Sequence, residues 1–404
     1  MNAKRLVAAS IGLFLLVLYA EQTTGQSIYG LNYLGEHRMR GGSRYSALGF
    51  SGLAIPDSLS ILTQNAASIA DIKRFTFSVN QFLSMSRIGS DKYSSNQNRF
   101  EVPSMMIAAP LRKGLVFALG YRSRFVGKGD FSFTRDVPDI PVPYEVYKHR
   151  SSLFTVPVTI SAKLWGVLNL AGELQIERGS IKDETTVRFT EEELYHPAIS
   201  RLNRNFYGTS WSVSALWKAK EWLSLGAVFD AGVDYGIDEV YKFSRTDFDS
   251  LSHADFSLPP AFALGAAVKV RDRWWISTTY WRRNAPEASI FDEFSGRLEA
   301  EEVVSFGLER RMSQSGGFLR RLPVRLGFYQ DRWHIEIPGG EPVFSRFVTL
   351  GTAVKMPGGP GVINLDIEYG QNGSSVRNGV SEKMVRFGIG ISVSEKWSKR
   401  RSEW

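Results

Sequence analysis

The alternation of apolar and polar positions is clearest near the C-terminus of the chain. Over residues 384–397, Arg386 and small residues alternate with a row of apolar side chains, and Trp397 follows; the row is Val385, Phe387, Ile389, Ile391 and Val393. Because successive side chains of a strand point to opposite faces, one face is uniformly apolar. That suits lipid on one side, a watery lumen on the other and an interfacial aromatic residue at the end. The pattern predicts an all-β fold, a transmembrane antiparallel up-and-down β-barrel.

Alternating runs of this kind recur along the chain and predict about fourteen strands. Most of them are longer than the five or six residues of an average strand in a soluble sheet, and they suit tilted strands that cross a bilayer. The predicted strands are 73–84, 98–109, 113–127, 151–162, 165–178, 205–218, 222–235, 258–270, 273–284, 301–312, 322–331, 344–356, 360–371 and 383–396.

The connections between these strands alternate in length. One set is tight, at 110–112, 163–164, 219–221, 271–272 and 357–359, with 313–321 as its longer member. The other set is long: 85–97, 128–150, 179–204, 236–257, 285–300, 332–343 and 372–382. Outer-membrane barrels have short periplasmic turns and long extracellular loops. With an even number of strands, both chain ends are expected on the periplasmic side.

Charged and aromatic positions agree with a membrane barrel. In residues 168–177 and 363–369, acidic and amide side chains alternate with apolar ones. Since charge on a lipid face is costly, residues such as Glu173, Asp366 and Glu368 are expected to face the lumen. Seven tryptophans lie near predicted strand ends, and about two-thirds of them are expected at the membrane interface, with the others in ordinary packing; they are Trp165, Trp211, Trp217, Trp222, Trp274, Trp275 and Trp281.

The N-terminus has the layout of a secretory signal peptide. Lys4 and Arg5 precede an apolar run over residues 6–20, and small residues precede Gln26. We therefore predict a signal peptide over residues 1–25; a single membrane-spanning helix is the alternative, for which the run is short. The chain has no cysteine, so it has no disulfide framework. Its formal charge of +8 is scattered along the sequence, which does not indicate nucleic-acid binding.

Residues 26–72 lack the alternation of the strands and are rich in glycine, serine, alanine and asparagine. We expect this segment to pack inside the lumen as a hatch, with residues 73–404 forming the barrel. Its glycines do not form a phosphate-binding loop, because no Gly-Lys-Ser/Thr sequence follows them.

Several segments resemble the FadL/TodX family of outer-membrane transporters for long-chain fatty acids and other hydrophobic compounds. Residues 47–70 are similar to the family's hatch, with Asn65, Ala66 and Ala67 at the place where the family usually has Asn-Pro-Ala. Residues 258–281 resemble a hairpin of the family, and residues 322–331 resemble one of its strands. The segment 368–371 with 387–397 is similar to a Bacteroidetes-like branch of hatch-bearing barrels, which includes the barrel of type IX secretion. The resemblance implies a hatch-bearing barrel that carries hydrophobic cargo.

The sequence contains no recognisable group of catalytic residues, so we expect neither an enzyme activity nor a cofactor. No Gly-x-Ser-x-Gly motif occurs. The five histidines, His37, His149, His196, His253 and His334, have no metal-ligand spacing. Four of them fall in predicted loops and one in the hatch, so we expect them on the solvated surface and predict no metal site.

Lumen-facing arginines are the candidate ligand residues: Arg122, Arg124, Arg325 and Arg386. A guanidinium group binds a carboxylate with two parallel hydrogen bonds, so one or two of them are predicted to hold an acid head group while apolar hatch residues hold the tail. The alternative is that they form ion pairs that brace the hatch against the wall.

The sequence thus predicts a channel in the cell outer membrane for passive uptake of hydrophobic or amphipathic small molecules, such as long-chain fatty acids. The expected partners are outer-membrane lipids and a hydrophobic ligand, with no nucleic acid, and a monomer is expected. A barrel that serves as a platform for secretion or surface attachment is the alternative, and a general diffusion porin is disfavoured by the hatch.

Overall fold

The computed structural model describes residues 27–31, 34–37, 41–90, 94–134, 143–189, 196–244, 250–286, 298–313, 317–336, 341–356 and 361–395. The predicted signal peptide, residues 1–25, and the predicted interfacial residue Trp397 lie outside these ranges. Strand is the main secondary structure of the described residues.

Fourteen antiparallel strands form a closed barrel, as predicted, since the last strand pairs with the first. Two of them, β7 and β8, are each interrupted by two residues. The strands are β1 (Phe75–Gly89), β2 (Ser94–Arg112), β3 (Leu115–Thr134), β4 (Pro143–Leu164), β5 (Leu168–Phe189), β6 (Ala198–Lys220), β7 (Leu223–Asp230 and Val233–Phe243), β8 (Ser250–Leu258 and Ala261–Arg271), β9 (Trp274–Arg283), β10 (Glu301–Arg310), β11 (Val324–Glu336), β12 (Pro342–Lys355), β13 (Val362–Ser374) and β14 (Val380–Glu395).

The two faces of the wall differ as the alternation predicts. Large apolar side chains are exposed on the outside of many strands, among them Ile160, Leu174, Phe306, Leu350 and Phe387. The residues between them are buried, and many are polar or charged, including Glu173, Asp366 and Glu368. An outer apolar belt with a polar interior is the form of an outer-membrane barrel.

Several predicted loops are in fact strand. The segments 85–97, 128–150 and 179–204 form the ends of six strands, and the connections between those strands span only 90–93, 135–142 and 190–197. As a result β4, β5 and β6 are 22, 22 and 23 residues long, whereas β9 and β10 have 10. Beyond the membrane both faces of a strand can be polar, so the alternation that identifies strands is lost there.

The tryptophans divide between the two faces. Trp165, Trp211, Trp217, Trp222 and Trp274 are exposed, as expected for interfacial residues. Trp275 and Trp281 are the two that pack on the inner face, as expected for part of the set. Trp275 is adjacent to Trp274 and therefore points to the opposite face, where the Arg311 guanidinium lies 4.4 Å from its ring centre. Trp281 shares that inward face.

The N-terminal segment lies inside the barrel, as predicted for a hatch, and most of its described side chains are buried. It contains the short helices Ile28–Gly30, Ser43–Ser46, Gly52–Ala54 and Ala66–Asp71 and a two-residue strand, Glu36–His37, that pairs with β3. Along the segment the contacts move from β12–β14 at Ser43–Ser46 to β7–β9 at Gly52–Ala54 and β4–β6 at Ala66–Asp71.

Two further short helices, Phe318–Arg321 and Ser375–Asn378, lie in connections between strands. Within the described ranges, the helices are all too short to cross a membrane.

A row of glycines on the inner wall receives the hatch. Gly226 pairs with Gly265, and Gly307 pairs with Gly327, on neighbouring strands. Added side chains at these four positions and at Gly351 would collide with hatch residues 47–54. We call these five residues the glycine track. Because the wall carries no side chains there, the hatch backbone can approach it closely.

Candidate ligand site in the barrel lumen

A cavity of about 130 Å³ lies between the hatch and the wall. Hatch residues His37, Phe50, Leu53, Thr63 and Ala66 line one side. The wall contributes apolar and aromatic side chains together with three arginines, and these wall residues include Val228, Val303, Trp281, Tyr329, Arg122, Arg124 and Arg283. The lining also includes the acidic residues Glu173, Asp230 and Asp331, so apolar surface meets charged groups of both signs here. Oriented polar groups beside apolar surface are typical of a small-molecule site.

The hatch sequence Asn65-Ala66-Ala67 fixes the floor of this cavity to the wall. The Asn65 side chain caps the helix Ala66–Asp71 by accepting a hydrogen bond from the Ala67 amide at 3.1 Å. It also donates to the Leu53 carbonyl at 2.9 Å and to the Ala215 carbonyl of β6 at 3.2 Å. Ala66 lines the cavity. Asn65 therefore joins two hatch turns and a wall strand at one point.

Arg122 on β3 connects the wall, the hatch and the cavity. Its Nη1 donates to the Thr63 carbonyl of the hatch at 2.9 Å, and its Nη2 lies 3.0 Å from Glu173 Oε1 on β5. Thr159 and Gln175 donate to the same carboxylate at 2.9 and 3.0 Å. These contacts hold the Arg122 guanidinium in one position on the cavity surface, and its Nη1 also binds the hatch.

Arg124 lies in a bulge of β3, between Ser123 and Phe125 in the pairing with β4. Its Nη1 is in close contact with Glu177 Oε1, and Thr155 donates to both oxygens of that carboxylate at 3.1 and 3.0 Å. Its Nη2 lies 3.8 Å from Asp230 Oδ1 and has no hydrogen-bond partner among the described residues.

Arg283 on β9 completes the group of cavity arginines and was not among the predicted ligand residues. The guanidinium lies 5.0 Å from the ring centre of Trp281. Nη1 lies 3.8 Å from Glu301 Oε2, and neither Nη1 nor Nε has a hydrogen-bond partner among the described residues. The only signal for it was the position of Arg283 one residue after Arg282, which places one of the two on the lumen face.

Arg325 and Arg386 do not line the cavity. Both guanidinium groups lie beside buried carboxylates. Arg325 Nε donates to Glu309 Oε1 at 2.9 Å, and hatch residue Arg44 contacts the same carboxylate at 3.0 and 3.1 Å. Arg386 is fully buried, and its Nη1 lies 2.5 Å from Glu368 Oε2. The hydroxyl oxygen of hatch residue Ser46 lies 2.5 Å from both Asp366 Oδ2 and Glu368 Oε1. Both arginines therefore lie in ion-pair clusters that reach the hatch.

Two of the five histidines are buried and a third, His37, is only slightly exposed, so their expected placement on the solvated surface was wrong. His37 Nδ1 lies 2.5 Å from Glu301 Oε1 beside the cavity, and His149 Nδ1 lies 2.7 Å from Asp183 Oδ1. His334 is also buried, whereas His196 and His253 are exposed. The long strands enclose two positions that had been assigned to loops. Within the described ranges, no group of three or more His, Asp or Glu residues is placed to hold a metal ion.

Comparison with known proteins identifies the fold. A Pseudomonas aeruginosa FadL homologue superposes with a TM-score of 0.62 at 11% identity over 90% of this chain and 99% of that one. The Ralstonia pickettii toluene transporter TbuX gives 0.59 at 12% identity over 91% and 100%. The Pseudomonas putida toluene transporter TodX gives 0.57 at 13% over 91% and 100%. The chain therefore has the FadL/TodX fold, as its sequence resemblance predicts.

A family model described as BamG matches residues 223–402, which is less than half of the chain. The matched part runs from β7 to beyond β14 and includes the whole glycine track together with Arg325 and Arg386. No curated protein sequence matches the chain.

Proposed function

We propose that this chain is an outer-membrane channel that admits small hydrophobic or amphipathic molecules through the lumenal cavity without direct energy input, acting as a monomer. The observation that carries the proposal is the cavity itself, where apolar hatch and wall residues meet Arg122, Arg124 and Arg283. TbuX and TodX are toluene transporters, which supports a small apolar cargo.

The size of the cavity restricts the cargo when the hatch is seated. Its volume of about 130 Å³ is close to that of an engineered cavity of roughly 150 Å³ that binds benzene. One aromatic ring, or the end of an alkyl chain, fits this space. A long-chain fatty acid is larger, so its passage requires part of the hatch to move.

The three arginines suit a cargo that carries an acid group. Arg124 and Arg283 have buried N–H groups without partners among the described residues, and a carboxylate is the group that best satisfies a guanidinium. We assign Arg122 and Arg124 to ligand binding together with Arg283. Arg325 and Arg386 are assigned to bracing, and Asn65, Ala66 and Ala67 to holding the hatch.

A pair of ligands with the same aromatic ring, toluene and benzoate, tests this assignment in calorimetric titrations. Arg122→Gln should weaken benzoate binding by about ten- to hundredfold, the value of a charge-assisted contact, and leave toluene nearly unchanged. Arg282→Gln is the matched control, because Arg282 faces outward and pairs with Glu302 at 2.9 Å. Equal weakening of both ligands would show that Arg122 only braces the hatch.

A platform for secretion or surface attachment is the second candidate, and the length of β3–β6 favours it. These strands have 20 to 23 residues, or about 70 Å at roughly 3.3 Å per residue. They form a wall that extends well beyond the membrane and offers a binding surface. If neither toluene nor benzoate binds at millimolar concentration, this function is preferred.

A further inference from the structure

The outer face of the long strands changes from apolar to cationic at one level. On β5, the outward side chains Leu170 and Leu174 are exposed, and further along the same face come the exposed cations Arg178 and Lys182. β5 begins at Leu168, ten residues before Arg178. At the usual tilt of barrel strands that length rises about 25 Å along the membrane normal, which is the height of the apolar band. Arg178 therefore marks the extracellular edge of the lipid tails.

Two aromatic residues support this level. Phe154 of β4 and Tyr207 of β6 are the register partners of Arg178, so the three side chains share the outer face. Aromatic residues of outer-membrane barrels gather at the interface. Lys182 is four residues beyond Arg178 on β5, or about 10 Å further along the membrane normal. Its side chain is long enough to reach the layer of the lipid head groups.

Three cations at the level of Lys182 lie side by side on neighbouring strands. Lys128 of β3 is the register partner of Arg150 of β4, and Arg150 is the register partner of Lys182 of β5. We call these three residues the cation row. Register partners have their Cβ atoms about 5 Å apart, and like charges placed in this way destabilise a sheet. Arg150 lies 2.6 Å from Asp130, so one acid balances only part of the row.

The positive charge extends over the outer face of β3–β6 above the apolar band. Its described cations are Lys128, Lys148, Arg150, Arg178, Lys182, Arg188 and Arg201, and its described acids are Asp130 and Glu184. Lys148 and Arg201 share Glu184, at 3.2 and 2.8 Å. Because seven cations face two acids, this surface has a clear excess of positive charge whichever pairs form.

The neighbouring part of the same wall has the opposite charge. The outward charged residues of the extracellular segments of β7 and β8 are three acids and one cation, namely Asp234, Asp238, Asp255 and Lys242. The positive charge is therefore a local property of β3–β6 and not of every strand that extends beyond the membrane.

We propose that the cation row binds the phosphate groups of a phosphorylated lipid in the outer leaflet. Phosphate oxygens accept charge-assisted hydrogen bonds from lysine and arginine, and an anion over the row would relieve the repulsion between its members. A lipid fits better than a soluble anion, since exposed apolar residues such as Ile160 and Leu174 lie below the row on the same strands and the same face. They offer a surface on which the acyl chains can lie.

Native mass spectrometry of the detergent-purified protein tests the proposal with added lipid A, a glycolipid with two phosphates. The double variant Lys128→Gln, Lys182→Gln should lose at least tenfold in lipid A affinity, since each cation near an anionic lipid surface contributes about fivefold. Lys128→Arg, Lys182→Arg keeps both charges and should keep the affinity.

The matched control is the double variant Lys220→Gln, Arg271→Gln. It removes the same charge from two exposed residues at the periplasmic end, far beyond a Debye length from the row, so lipid A affinity should stay within about twofold of the parent. Heat-dependent migration on gels establishes that each variant is folded.

Unchanged lipid A affinity in Lys128→Gln, Lys182→Gln, or an equal loss in the periplasmic control, would overturn the proposal. Glucosamine 6-phosphate has a phosphorylated sugar but no acyl chain. If it binds as tightly as lipid A, the ligand is a soluble phosphosugar and the lipid assignment is wrong. The cation row faces away from the lumenal cavity, so these results are independent of toluene and benzoate binding.

Discussion

Gly327 and Gly307 are paired wall residues at which the hatch comes very close. A Cβ atom at Gly327 would lie 2.1 Å from the Gly49 nitrogen and 2.2 Å from the Leu48 carbonyl carbon. At Gly307 it would lie 2.2 Å from Ser51 Oγ and 2.8 Å from the Leu48 oxygen. Backbone atoms cannot move aside as the end of a side chain can, so even one methyl group would displace the hatch.

Gly327→Ala should therefore release the hatch without preventing barrel closure. The expected result is an increased leak of small polar solutes, measured as conductance in planar bilayers, together with normal heat-dependent migration on gels. Gly172→Ala is the matched control, because a Cβ there meets nothing within 4 Å. If both variants conduct equally, the glycine track does not hold the hatch.

At the residue scale, the sequence predicted which way a side chain points better than what it contacts. Alternation placed Glu173, Glu368 and Arg386 in the lumen, and the structure buries all three. It could not separate Arg122 at the cavity from Arg386 in an ion-pair cluster, because partners come from strands distant in sequence. Arg283 was missed for the same reason.

The helix Ala66–Asp71 is tied to two wall strands through its last residue. Asp71 Oδ1 accepts from Lys163 Nζ at 2.9 Å, and Oδ2 accepts from Lys218 Nζ at 2.5 Å. Burial alone would raise the pKa of Asp71, but hydrogen bonds from Lys218 and Lys163 and their charges outweigh it, so the pKa lies below its ordinary value. The ionised carboxylate is therefore the form that holds the helix.

The pH dependence of this tie follows from the lowered pKa. Stabilisation by Asp71 is present above the ordinary carboxyl pKa and is lost as the pH falls through the lowered one. Conductance of the parent should stay low at pH 7 and 5 and rise only below about pH 3.9. Asp71→Asn should raise the conductance at pH 7, whereas Asp272→Asn in an exposed turn should not. A parent that already leaks at pH 5 would contradict this role.

At the scale of elements, strand number and the tight periplasmic turns were predictable from the sequence. Each strand crosses lipid, so its apolar face is marked clearly over the membrane. The extracellular ends of β3–β6 were not recognised, because a strand with polar residues on both faces has no alternating signal. The hatch was recognised by lack of alternation, but its path was not, since it depends on the glycine track.

At the scale of the whole molecule, we expect the barrel to fold without the hatch. Deleting residues 26–72 removes the two-residue pairing of Glu36–His37 with β3 but no pairing between barrel strands, and β14 still pairs with β1, so the barrel should fold. The lumen would then fill with water around Glu309, Asp366 and Glu368, and conductance and antibiotic sensitivity should both rise. A deletion variant that folds but does not leak would show that the hatch does not obstruct the lumen.

The position of the helix Ser43–Ser46 links the two ends of the chain. This helix precedes every barrel strand in sequence, yet it packs against β12, β13 and β14, which are synthesised last. Its binding surface exists only in a chain that has been translated through β14 and closed into a ring. A truncated chain therefore keeps its N-terminal segment unprotected and open to proteases. The hatch thus distinguishes complete molecules from unfinished ones.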